Sequence, residues 1–65
     1  MDLGENIKRA RKDAGVTQKE LAEKLDVYQK DISRWENGER VPSALALAEI
    51  CKVLNASADD ILELK

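Results

Sequence analysis

Two helix-forming stretches of this chain are joined by almost nothing, and that joint limits the folds open to it. The first stretch begins at Thr17. Thr17 and Glu20 have capping-box spacing, and Val16 stands where a hydrophobic staple would reach Leu21. Leu21, Ala22 and Leu25 form its apolar face, and it stops near Asp26. The second stretch runs from about Gln29 to Asn37, with Gly38 as its stop. The connection around Asp26 and Val27 is too short for the two helices to lie flat and antiparallel, so they cross at a steep angle.

The rest of the chain is patterned the same way, and no segment sustains the period-two alternation of a strand. A first helix is expected after the cap Asp2, with Leu3, Ile7, Ala10 and Ala14 as one buried stripe and Gly15 as its end. Arg40-Val41-Pro42 reads as a connector. Ser43 then caps a fourth helix carrying Leu47, Ile50, Cys51 and Leu54 on its inner face, and Asn55 is placed to stop it. Ser57 caps a short fifth helix, in which Asp59 and Asp60 suit the positive end and Ile61 and Leu62 pack inward. The expected architecture is all-α: five short helices around one core, a single domain over residues 1–65.

So short a chain buries a modest core, and the usual supports are missing. With one cysteine and no histidine, neither an internal disulfide nor a Cys/His zinc site can form. No metal and no cofactor is expected. Cys51, inside an apolar run, reads as a small core residue and fits a reducing cytosol. Catalysis is not expected either, since there is no histidine, no activated thiol and no glycine-rich phosphate loop. Asp2 and Glu5 precede the basic run, unlike a signal peptide, and no apolar stretch reaches the length of a membrane span. A cytoplasmic location follows as the expectation.

The net charge is −2, from 11 basic and 13 acidic residues, which alone argues against a polyanionic partner. The distribution argues the other way. Beyond residue 40 stand Lys52 and Lys65 against Glu49, Asp59, Asp60 and Glu63, whereas residues 1–40 are balanced and contain Lys8-Arg9-Ala10-Arg11-Lys12. A molecule basic on one face and acidic on the other can bind nucleic acid despite a low isoelectric point.

At about 100° per residue, Ile32 and Trp35 define the buried side of the third helix. Lys30, Ser33 and Asn37 fall roughly opposite, flanked by Arg34 and Gln29. Amide, hydroxyl and cation are the side chains that read base edges in a major groove. The plain alternative is a solvated face on which Asp31 pairs with Arg34 at i, i+3.

The segments TQKELAEKL, ISRWENGERVPS and LNASADDIL together resemble the lambda-repressor-like, XRE-type helix-turn-helix family, and the resemblance extends over nearly the whole chain. It implies that helices two and three form the helix-turn-helix, with residues 29–37 as a recognition helix in the major groove of double-stranded DNA. Gln29, Lys30, Ser33 and Arg34 then occupy the base-reading face. Thr17 and Gln18 open helix two, where relatives grip a phosphate. Asn37 and Arg40 match further phosphate positions. Arg11 and Glu36 match a pair that relatives bury as an internal salt bridge.

Three positions depart from the family pattern. Asp26 stands where relatives usually have glycine, at a turn position requiring positive φ. Tyr28 stands where Ser or Thr often caps helix three. It cannot cap that way; it lies either along the sugar-phosphate backbone or against a thymine methyl, or else it is a half-exposed packing residue. Asp31 places a negative charge near the groove, where it favours the helix dipole, orients Arg34 or accepts from a cytosine amino group.

The function implied is sequence-specific regulation of transcription, as a repressor. The alternative on the same fold is a protein-binding module, antitoxin-like or coactivator-like, which Asp31, Tyr28 and the acidic balance favour. Helix four carries more small and apolar residues than one buried stripe needs: Ala44, Leu45, Ala46, Ala48 and Val53. Its outer edge and the C-terminal end, with Leu64, form the expected homodimer surface, the alternative being a loosely amphipathic core helix.

Overall fold

A computed structural model describes residues 2–62 and, within that span, every side chain but that of Asp60. Its helices are α1 (Leu3–Asp13), α2 (Gln18–Leu25), α3 (Gln29–Glu36), α4 (Ala44–Leu54) and a single five-residue turn of helix, α5 (Ala58–Leu62). There is no strand among the described residues.

Side chains start these helices. The Asp2 carboxylate accepts the Glu5 amide at 3.1 Å, and the Ser43 hydroxyl accepts that of Ala46 at 3.1 Å. At α2 the box is reciprocal: the Glu20 amide donates to the Thr17 hydroxyl at 3.0 Å, and the Thr17 amide donates to Glu20 Oε1 at 2.9 Å. Those bonds hold the Glu20 carboxyl below the usual carboxylate range, the backbone bond from Thr17 contributing most.

One device ends α1 to α4. At each end one residue, Gly15, Asp26, Gly38 or Asn55, donates to a carbonyl three back, and the next donates five back: Val16 to Arg11, Val27 to Ala22, Glu39 to Arg34 and Ala56 to Cys51. This Schellman closure needs a left-handed residue. Gly15 and Gly38 supply it at φ 73° and 80°, Asp26 and Asn55 at φ 57° and 53°. Asp26 therefore takes the conformation that glycine usually provides, and the tight joint between α2 and α3 forms without one. Asn37 is the cap of α3 rather than its last residue, because its amide bonds to Ser33 while its own backbone turns toward Gly38.

Ile7, Leu21, Ala22, Ile32, Ile50, Leu54 and Ile61 form the buried core. α3 packs against both α1 and α2, α4 lies on α2, and α5 closes over α1. Val16, Leu25, Val27, Trp35, Leu47 and Cys51 surround this core half-buried. Ala14 corrects the expected α1 stripe. It is exposed, because the chain leaves the helix at Asp13 and turns toward Gly15 before Ala14 can reach the core.

Two contacts had no forecast in the periodicity. The Asn6 side chain is buried and donates to the Ile61 carbonyl at 2.8 Å, tying α1 to α5. A Cβ on Gly4 would stand 2.5 Å from the Trp35 carbonyl oxygen and 2.6 Å from that of Glu36. The first turn of α1 and the last of α3 thus touch backbone to backbone. Leu64, expected to add to an apolar C-terminal end, lies outside the described residues.

Candidate nucleic-acid interface

α3 presents its polar residues as the helical rotation requires once Ile32 is buried. Gln29 and Lys30 are exposed at its start, Ser33 and Arg34 are half-buried in the middle, and Asn37 is exposed at its end. Asn37 Nδ2 donates to Ser33 Oγ at 3.4 Å, one helical turn back. Arg40 is exposed in the loop that follows, with its amide bonded to the Arg34 carbonyl at 3.3 Å.

Tyr28 supplies no side-chain cap to α3 and is 78% exposed. Capping is one-sided here: Asp31 Oδ2 accepts the Tyr28 amide at 3.2 Å. The Asp31 carboxylate is thereby placed at the positive end of the helix. Among the described residues no ion pair joins Asp31 to Arg34.

The start of α2 lies beside the start of α3. Lys12, Thr17, Gln18, Lys19 and Gln29 line one shallow open depression with Arg11 beneath. Lys12 and Lys19 are exposed cations on its rim. Thr17 Oγ accepts from within the chain, which leaves its own O–H to donate outward. The first amides of α2 have no partner inside the helix and give this end a partial positive charge.

Beneath the depression Arg11 and Glu36 form a buried ion pair, their side chains 9% and 1% exposed. Arg11 Nε meets Glu36 Oε2 at 2.6 Å and Nη2 meets Oε1 at 3.2 Å, while Nη1 donates to the Val16 carbonyl at 2.8 Å. Gln18 joins them: its Nε2 donates to Glu36 Oε1 at 3.0 Å. The sequence places Gln18 in the phosphate grip; the structure shows one of its amide protons already engaged inside the protein. No pattern in the sequence forecasts that third donor, because Gln18 and Glu36 come from different helices.

A short helix, a left-handed turn and a second helix with a polar outer face define a helix-turn-helix protein. The chain belongs to the lambda-repressor-like, XRE-type helix-turn-helix family, whose model HTH_3 matches residues 7–61. It is 40% identical over 62 residues to the HTH-type transcriptional regulator ImmR of Bacillus subtilis, covering 95% of this chain and 49% of ImmR. The clp gene regulator ClgR of Corynebacterium glutamicum superposes with a TM-score of 0.91 at 39% identity, over 95% of this chain and 66% of that one. SinR, a master regulator for biofilm formation crystallised in complex with DNA, superposes at 0.84 with 34% identity, over 92% of this chain and 97% of that one. The chain spans half or less of the length of several curated regulators it matches.

Proposed function

We propose that this chain binds double-stranded DNA in a sequence-specific way and regulates transcription, with α3 in the major groove. The observation carrying this reading is the outer side of the α2–α3 unit, where Gln29, Lys30, Asn37 and Arg40 are exposed beside half-buried Ser33 and Arg34. The likeness to SinR, whose structure contains DNA, supports it. Gln29, Lys30, Ser33 and Arg34 are the base-reading residues, the polar types that pair with adenine and guanine edges. Thr17, Gln18, Tyr28, Asn37 and Arg40 hold the phosphates on either side and set the register.

The protein acts in the cytoplasm, as a repressor and as a homodimer. Val41 and Leu45, on the approach to α4 and in its first turn, are 77% and 73% exposed, and the outer edge of α4 with the C-terminal end is the surface for the second copy. Two copies place two α3 helices one DNA turn, about 34 Å, apart.

Selection of random duplexes by the purified protein, followed by salt titration of the winner, tests the reading. The expected winner is a pseudo-palindrome whose affinity falls with salt at about 0.9 log units per log unit for each phosphate neutralised. Failure to enrich any sequence overturns it in favour of a protein-binding module built on the same fold, for which the exposed Tyr28 would then be an anchor.

A further inference from the structure

Glu36 is buried and needs only Arg11 to balance its charge, yet a neutral amide also sits on it. Oε1 of Glu36 accepts both Arg11 Nη2 and Gln18 Nε2. A carboxylate oxygen accepts and does not donate, so the Gln18 amide meets it by its nitrogen and not by its oxygen. One N–H of that nitrogen is used. That bond restrains the planar amide, whose second N–H is not used by Glu36, and half-buried Gln18 lines the open depression together with exposed Lys19 and Gln29.

We infer that Glu36 is a positioning residue: held by Arg11, it aims the second amide N–H of Gln18 at a DNA phosphate. This rests on the DNA-binding reading above and deepens it. A free glutamine at a helix start loses rotamer freedom on contact with a ligand; one already tied down loses much less. The ion pair therefore does more than join α1 to α3. It preorganises a neutral donor on α2, beside amides of the helix end that favour the same anion.

The test is a cycle on the selected duplex. Arg11→Met with Glu36→Leu removes both charges together, which leaves no buried unpaired ion and keeps the volume filled. In the parent, Gln18→Leu is expected to weaken binding about tenfold, equally on selected and random DNA, as loss of a charge-assisted phosphate bond. In the paired-substitution background it is expected to change binding little. An equal loss in both backgrounds overturns the role of Glu36, and no loss in the parent overturns that of Gln18. Methylphosphonate at the contacted phosphate should abolish the Gln18 effect, a readout that a merely structural role would leave unmoved.

Amide NMR of the unbound parent gives a second measurement that needs no variant to fold. One Gln18 side-chain proton is expected to exchange slowly with solvent and its partner rapidly. Rapid exchange of both overturns the proposal. Absence of binding by the parent to any duplex defeats the DNA reading itself and the Gln18 role with it, whereas the other failures leave that reading standing.

Discussion

α3 and α4 each bury one isoleucine completely, Ile32 and Ile50, and each is closed by the same pair of backbone bonds. Their outer faces differ in kind. α3 turns out Gln29 and Lys30 and partly exposes Ser33 and Arg34, whereas α4 turns out Ala44, Leu45 and Ala48 beside Glu49 and Lys52. Folding rewards only the inner faces. An exposed leucine gains nothing for the monomer, and a cation without an internal partner gains little. The outer faces are thus open to other demands, and on the proposed reading these differ: a polyanion for α3 and a second copy of the chain for α4.

The inner faces set the largest expected effects. Ile32→Ala and Ile50→Ala should each cost about 2–5 kcal/mol in urea unfolding, since both side chains are fully enclosed. A marked inequality between them would break the likeness of the two helices inside. Arg34→Ala should weaken binding to the selected duplex by about 1–3 kcal/mol and relax discrimination at one base pair. Equal loss on random DNA would move Arg34 from base reading to phosphate holding.

Leu45→Ser should leave the unfolding midpoint almost unchanged. It should weaken self-association by up to about 1.5–3 kcal/mol, read by sedimentation, with half-site binding preserved. Unchanged association would remove the assigned use of the α4 edge. Thr17→Ala should cost about 1 kcal/mol of stability. The depressed Glu20 carboxyl adds a pH signature: its contribution is present above the unfolded-state value and fades as pH falls through the folded one, so Glu20→Gln should flatten the acid limb of stability. Smallest of all, the Cys51 thiol, pushed up by partial burial, should react with iodoacetamide more slowly than a free thiol.

Caps, stops and periodicity are short-range chemistry, which is why they were legible in the sequence. Thr17 and Glu20 lie three residues apart, and Asp26 needed only its tolerance of positive φ to complete the turn. Ala14 misled because helical periodicity does not say where a helix stops. Gly4 could have been flagged as a glycine inside an amphipathic helix, but what it makes room for is 31 residues away in Trp35. The bonds from Asn6 to Ile61 and from Gln18 to Glu36 join different helices, and spacing along a chain carries no signal for such meetings.

The Gly4 contact has a mechanical side. Side chains yield by changing rotamer, but a carbonyl at the end of a hydrogen-bonded helix has no such freedom. Where α1 meets the Trp35 and Glu36 carbonyls, main chain abuts main chain, like a tenon seated in its mortise. That joint limits how the last turn of α3 can sit against α1. On the proposed DNA-binding reading, Gly4→Ala should shift α3 against α1 and so change which duplexes a repeat selection enriches.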